Sequence, residues 1–159
     1  MATLVVQTSF LGDVILTTPL IAELAKRSEV DVLTTLPGAQ ILANNPTIRN
    51  TLVYEKRDGD SGISGFIRTV SRVRATGRHG SPLIRGNQAS ASSGTYDMAY
   101  LAQGSFRSAM LALAAGARER IGFDTAAGRA LYTTRVRYAP ERHHAERLWW
   151  LSMGECADP

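Results

Sequence analysis

The sequence has 159 residues, of which 44% are hydrophobic, and this predicts one domain with one buried core. Its formal net charge at pH 7 is only +4, and its Arg residues are not interleaved with aromatic residues, which argues against a nucleic-acid-binding protein. The single cysteine, Cys156, excludes an internal disulfide, and the three scattered His residues add no metal-ligand spacing.

Strand-like and helix-like segments alternate along the chain, which indicates βα units and a largely parallel sheet. Strands are predicted at residues 3–7, 30–35, 51–54, 96–101 and 120–123, followed by an extended segment at 132–138. Helices are predicted from near residue 13 to 27, at 40–43, from 63 to near 77, from 105 to 115 and at 144–151. A turn at Pro37 and Gly38 precedes the second of these helices. Ser105 is the predicted cap of the fourth helix, and Gly116 is its predicted stop. Pro19 either kinks the first helix or restarts it.

Residues 79–95 differ from the rest of the chain because they are small and polar, with only two large apolar side chains, Leu83 and Ile84. We expect a flexible insertion here, since a loop of this length is unusual inside a compact domain. The predicted fold class is therefore α/β, a Rossmann-like parallel sheet flanked by helices, in one domain over residues 1–159.

The chain also lacks a run of about 18 apolar residues that could span a membrane, and its N-terminus lacks the basic and apolar pattern of a signal peptide. We therefore expect a cytoplasmic protein without a bound metal or cofactor, whose contact with a membrane, if it has one, is peripheral.

All but Lys26 and Lys56 of the 18 basic residues are Arg. Arg suits bidentate binding of phosphate or carboxylate, although a GC-rich genome predicts the same composition.

A polar turn, Thr8-Ser9-Phe10-Leu11-Gly12-Asp13, follows the first predicted strand. Ligands of α/β sheets bind at the carboxyl ends of strands, so the Asp13 carboxylate is a candidate general base. The alternative is that Asp13 only caps the next helix, and both roles can coexist. Gly12 would let a ligand approach the backbone, and Ser9 could hydrogen-bond at the rim. The turn has one glycine where the dinucleotide fingerprint needs three, which argues against an NAD enzyme.

This turn resembles the opening of the lipopolysaccharide heptosyltransferases of glycosyltransferase family 9, in which a short strand leads into Thr-Ser-x-x-Gly-Asp. The resemblance covers nearly the whole chain except residues 79–95. It implies the N-terminal, acceptor-side half of a GT-B glycosyltransferase, with the nucleotide-sugar domain absent from this chain. The implied reaction is inverting transfer of heptose from ADP-heptose to the lipopolysaccharide inner core at the inner face of the inner membrane, with Asp13 as the catalytic base.

Two further segments carry the resemblance. Gln103-Gly104-Ser105-Phe106-Arg107 matches the family's turn after its fourth strand, and Tyr54-Glu55-Lys56-Arg57 matches a basic loop after the third. The acceptor bears carboxylates and phosphates, so the resemblance implies that Lys56, Arg57 and Arg107 hold its anions. Ser9, Gly12, Gln103 and Ser105 would shape the acceptor cleft. Viewed without the resemblance, Arg107 is as typical of a solvated helix residue as of an anion ligand, whereas Lys56 and Arg57 are more typical of solvated loop charges.

His143 and His144 resemble the stretch that leads into the family's interdomain connection. Two adjacent His residues face different sides of a helix, so we do not predict a metal pair or a catalytic dyad from them. The alternative function is a non-catalytic acceptor-binding or interaction module left by loss of the donor domain. The shortness of the chain, compared with a two-domain family, is the feature that favours this alternative.

Overall fold

The computed structural model describes residues 1–54, 62–78 and 96–156. Within these ranges the strands are β1 (Ala2–Gln7), β2 (Glu29–Thr34), β3 (Asn50–Val53), β4 (Met98–Leu101), β5 (Glu119–Phe123) and β6 (Thr134–Val136). The helices are α1 (Leu11–Leu16), α2 (Thr18–Ala25), α3 (Leu36–Leu42), α4 (Gly62–Arg78), α5 (Phe106–Ala114) and α6 (His144–Trp150). Short 3-10 turns cover Arg129–Leu131 and Leu151–Cys156.

The strands form one sheet in the order β3-β2-β1-β4-β5-β6, and every neighbouring pair is parallel. This is the doubly wound arrangement, in which the strand order reverses between β1 and β4. The predicted α/β class and Rossmann-like parallel sheet are confirmed. The topology also places a crevice at the carboxyl ends of β1 and β4, where ligands of such sheets bind.

The sheet is buried on both faces, which explains why its central strands are almost continuously apolar. In β1, Leu4 and Val6 belong to a core cluster that includes Ala112 of α5, whereas Val5 belongs to a second cluster with Ile21 of α2 and Leu148 of α6. Burial of each such side chain stabilises the fold by roughly 1.5–3 kcal/mol. The two core layers hold the helices in place on either side of the carboxyl edge.

The helix predicted from near residue 13 to 27 is two helices, because α1 ends at Leu16 and α2 begins at Thr18. Pro19 lies in the first turn of α2, where its missing N–H costs no hydrogen bond, and the restart alternative is therefore the one observed. The N-cap of α1 is Phe10, so Asp13 lies inside the first turn. The alternative interpretation of Asp13 as the N-cap is wrong.

The turn predicted at Pro37 and Gly38 is also wrong, because both residues lie inside α3. The Thr35 side chain caps this helix by accepting a hydrogen bond from the Gly38 N–H at 3.4 Å, and proline is favoured in a first helical turn. A Cβ on Gly38 would lie 2.3 Å from the Thr34 side-chain oxygen. Glycine is needed here so that α3 can pack closely against the end of β2.

The helix after β4 begins and ends as predicted. Ser105 caps α5 by accepting a hydrogen bond from the Ser108 N–H at 3.1 Å. Gly116 has a φ of 84°, and the N–H of Ala117 donates to the Ala112 carbonyl at 3.1 Å, which is the Schellman pattern.

Three predictions fall on residues outside the described ranges: the insertion at 79–95 and the basic side chains Lys56 and Arg57. None of the helices in residues 1–54, 62–78 and 96–156 is long and apolar enough to cross a membrane.

Candidate active site

The first two predicted motifs meet at the point where the strand order reverses. Gln103, which follows β4, donates its backbone N–H to the Val6 carbonyl of β1 at 3.3 Å. Its side-chain oxygen accepts a hydrogen bond from the Thr8 N–H at 3.2 Å and a further one from the Thr8 hydroxyl. These bonds join the loop after β1 to the loop after β4. The structure therefore brings Asp13, Gln103 and their neighbours to one crevice.

The Asp13 carboxylate is half-buried at this crevice and has a close hydrogen-bond donor. The Ser9 hydroxyl lies 2.6 Å from Asp13 Oδ2 and 3.0 Å from the side-chain oxygen of Gln7. A serine hydroxyl carries one proton, and the shorter contact to the charged acceptor is the stronger. Ser9 therefore orients Asp13.

Gln7 fixes the backbone beneath the carboxylate and was not predicted from the sequence. It is buried at the end of β1, and its side-chain nitrogen donates to the Thr17 hydroxyl at 3.0 Å. Thr17 in turn donates to the Asp13 carbonyl at 2.6 Å. A polar residue at the end of an apolar strand is the signal that could have found Gln7.

His144 of α6 is the second side chain of the site that sequence reasoning missed. Its Nε2 atom lies 3.5 Å from Asp13 Oδ1, and the two side chains are 32% and 35% exposed. The neighbouring His143 instead accepts a hydrogen bond from the Ala145 N–H as the cap of α6. The two imidazoles thus have different surroundings, as expected, but one of them faces the candidate base.

Gly12 has neither a conformational nor a packing requirement for glycine. Its φ is not positive, and a Cβ placed on it would have no described atom within 4 Å apart from its chain neighbours and the backbone of its own helix. By contrast, a Cβ on Gly104 would lie 2.9 Å from the Cβ of Ala126. The space beside Gly12 is open, whereas Gly104 is held against its neighbours.

Arg107 lies in the first turn of α5, and its guanidinium is 5.4 Å from the ring centroid of Tyr54. Tyr54 is buried directly after β3, so the first residue of the third predicted motif contacts the second motif. Ser105 also lies in this region, but its hydroxyl is engaged in capping α5 and lies 2.8 Å from that of Ser108.

Large apolar side chains are exposed where α1, α3 and α5 begin. Phe10 is 84% exposed and Phe106 is 55% exposed, with Leu11 and Leu36 also accessible. The carboxyl edge therefore presents both an anchored carboxylate and an apolar rim.

A cavity of about 550 Å³ lies at the opposite, amino edge of the sheet, where Thr3, Arg27 and Ser28 are among its lining residues. Several of its polar groups have partners within the protein: the hydroxyls of Thr3 and Ser28 are 2.8 Å apart, and Arg27 donates to the Ser152 carbonyl. In the part of the chain that the structure describes, no group of three or more His, Cys, Asp or Glu side chains could hold a metal ion.

The sequence model of glycosyltransferase family 9 (heptosyltransferase) matches residues 90–153. No curated protein matches the chain. Among solved structures, the chain is similar to the glycosyl transferase family 9 from Veillonella parvula DSM 2008, at 22% identity and a TM-score of 0.73, over 94% of this chain and 40% of that one.

The chain is also similar to E. coli heptosyltransferase WaaC with ADP-2-deoxy-2-fluoro heptose, at 21% identity and a TM-score of 0.73, over 96% of this chain and 47% of that one. A third similar structure is E. coli ADP-heptose lps heptosyltransferase II, at 21% identity and a TM-score of 0.70, over 96% of this chain and 40% of that one. The chain spans less than half of the length of each of these proteins.

The fold is that of a Rossmann-like domain of a GT-B glycosyltransferase. Within that class, it is the fold of the family 9 heptosyltransferases. The predicted resemblance to that family is confirmed by the shared fold and by the match at residues 90–153, which contains the turn after β4.

Proposed function

We propose that this chain is the acceptor-binding domain of an inverting heptosyltransferase that transfers heptose from ADP-heptose to the lipopolysaccharide inner core. One observation carries the proposal: Asp13, in the turn that resembles the family's catalytic turn, presents its carboxylate beyond the carboxyl end of β1, where the strand order reverses between β1 and β4. Ser9 holds that carboxylate from one side. The solved relatives named above include one with an ADP-heptose analogue, which supports the proposed donor.

In the proposed reaction, Asp13 accepts the proton of the attacking acceptor hydroxyl. The hydroxyl oxygen forms a bond to the anomeric carbon of heptose while the bond from that carbon to the ADP phosphate breaks, and ADP leaves with the electron pair. Attack opposite the leaving group inverts the anomeric configuration. A general base of this kind typically contributes on the order of 10²–10⁴ to the rate.

The acceptor anions are assigned to Arg107 together with Lys56 and Arg57. Arg107 is exposed at the start of α5 beside the crevice, and a guanidinium suits carboxylates and phosphates. Ser9, Gly12, Gln103 and Ser105 are proposed to shape the cleft. We propose a cytoplasmic location with peripheral contact at the inner membrane, where the acceptor is anchored, and no role for nucleic acid.

The nucleotide-sugar site is proposed to lie in a second domain, because the chain spans 40–47% of the similar structures. The same observation favours the alternative of a non-catalytic acceptor-binding module. The two functions differ in whether transfer occurs when a donor domain is supplied, since both predict acceptor binding.

The decisive experiment compares the purified chain alone with the chain joined to the nucleotide-sugar domain of a family 9 heptosyltransferase. We expect the chain alone to bind an inner-core acceptor but to release no ADP, because donor and acceptor must be held face to face for reaction. The joined protein is expected to release ADP and extend the acceptor. Acceptor binding without transfer by the joined protein would favour the non-catalytic module, and steady ADP release by the chain alone would contradict the two-domain proposal.

Substituting Gly12 tests whether the open space beside it receives the acceptor. Gly12→Ala is expected to leave the free energy of unfolding unchanged or raise it by up to about 1 kcal/mol, because alanine is the better helix former. The added methyl group would occupy the space that the ligand needs, so acceptor affinity is expected to fall. Calorimetric titration with an inner-core acceptor and thermal unfolding measure the two effects.

Gly104→Ala is the control for the stability measurement. Its methyl group would press on Ala126, so this substitution is expected to lower the free energy of unfolding. A Gly12→Ala protein with unchanged acceptor affinity would remove Gly12 from the proposed cleft.

A further inference from the structure

The surroundings of His144 fix which of its ring nitrogens carries the proton. Its Nδ1 atom lies 3.2 Å from Nη2 of Arg147 on the next turn of α6. A guanidinium can only donate hydrogen bonds, so Nδ1 must be the acceptor in this pair. The neutral imidazole then carries its proton on Nε2, which is the atom that faces Asp13 Oδ1 at 3.5 Å.

Arg147 makes two contacts with Tyr138, a hydrogen bond and a cation–π contact. Its Nη1 atom donates to the Tyr138 hydroxyl at 2.6 Å, and its guanidinium lies 4.6 Å from the centroid of the same ring. Tyr138 is fixed in turn, because its backbone N–H donates to Asp124 at 3.0 Å and its ring packs edge-on against Phe123 at 5.3 Å. A continuous set of contacts therefore runs from the end of β5 to the candidate base.

We propose that His144 is a positioning residue for Asp13, held as the Nε2–H tautomer by Arg147. In this arrangement Ser9 donates to one carboxylate oxygen, and the Nε2–H of His144 faces the other oxygen at 3.5 Å, from where it can complete a second hydrogen bond that fixes the plane of the carboxylate. The 3.5 Å separation is long for a hydrogen bond, and such bonds commonly shorten when substrate binds. The catalytic consequence rests on the proposed function, whereas the tautomer does not.

The tautomer of His144 also determines which of the two side chains can accept the proton of the acceptor hydroxyl. While Arg147 donates to Nδ1, and Nε2 already carries a proton, His144 has no free lone pair to take the proton of the acceptor hydroxyl. Asp13 therefore remains the base, and His144 orients it. Because His144 lies on α6 and Asp13 on α1, the packing of these two helices controls the orientation of the base.

The first test uses this chain alone. Two-bond ¹H–¹⁵N correlation spectra of the histidine rings report the tautomer of His144, assigned by comparison with His144→Gln. We expect the Nε2–H form in the wild type, and a mixture of tautomers in Arg147→Met. A predominant Nδ1–H form in the wild type would overturn the proposal, whatever the protein catalyses.

The second test measures transfer by the chain joined to a donor domain. His144→Ala is expected to lower kcat about tenfold with little change in the acceptor KM, whereas His144→Gln, whose amide can both donate to Asp13 and accept from Arg147, should restore kcat to within about threefold of wild type. Glu146→Gln is the matched control, because Glu146 is exposed on the same helix and its carboxylate pairs with Arg142, and it should leave kcat unchanged. A His144→Ala protein with wild-type kcat would overturn the positioning role. Absence of transfer by the wild type would count against the proposed function, and the tautomer measured by NMR would then be the test of the contact between His144 and Asp13.

Discussion

Replacing Asp13 with Asn is expected to lower the rate of heptose transfer by on the order of 10²–10⁴, measured as ADP release by the chain joined to a donor domain. Asn has nearly the same shape as Asp, and its side-chain oxygen can still accept the hydrogen bond from Ser9, but it cannot take the acceptor's proton at a useful rate. Because Asp13 is 35% exposed, the free energy of unfolding should change by less than about 1 kcal/mol.

A matched control separates the loss of a base from a general loss of negative charge. Glu119 lies at the amino end of β5, on the opposite edge of the sheet, and Glu119→Gln should leave turnover unchanged. Acceptor affinity should survive in Asp13→Asn. Turnover of Asp13→Asn within threefold of wild type would remove Asp13 from the mechanism.

The second large effect is expected at a buried ionic cluster near the amino edge. Arg49 donates to both carboxylate oxygens of Asp31, at 2.9 and 2.6 Å. Asp31 is fully buried, and it also accepts hydrogen bonds from Asn50 at 3.0 Å and from the Tyr96 hydroxyl at 2.8 Å. The bond to Asp31 raises the pKa of Arg49. Burial, with the nearby Asp31 charge, raises the pKa of Tyr96.

Arg49→Met is expected to lower the free energy of unfolding by about 3–5 kcal/mol, because it leaves the buried Asp31 carboxylate without its cation. Chemical denaturation monitored by circular dichroism and tryptophan fluorescence measures the loss. The double variant Arg49→Met with Asp31→Leu should recover part of it, since no buried charge then remains.

The exposed pair formed by Lys26 and Glu23, 2.7 Å apart, is the control for this prediction. Lys26→Met should change stability by less than about 1 kcal/mol, as is usual for surface ion pairs. A similarly small loss in Arg49→Met would show that the cluster around Asp31 contributes little to the fold.

Much of the fold could be predicted because local signals and the sheet agree. The alternation of strand-like and helix-like segments predicted each strand found in residues 1–54, 62–78 and 96–156. Ser105 and Gly116 marked the ends of α5, where a side-chain cap and a positive φ are local requirements. The errors have local causes too. Pro37 signals a turn in a sequence, but it is equally suited to a first helical turn, and only the packing of Gly38 against Thr34 decides between the two.

Some features of the candidate site could likewise be predicted from local sequence, and others could not. The sequence by itself determined the α/β class and the turn that carries Asp13, because both depend on the order and spacing of neighbouring residues. It also placed Gln103 at the end of a strand. Only the tertiary structure decided that Gln103 bonds to Thr8, that Gln7 anchors α1, and that His144 faces Asp13. Those contacts join segments that are distant in the chain, and their geometry follows from the order of β1 and β4 in the sheet and from the packing of α6, which no local pattern of residues specifies.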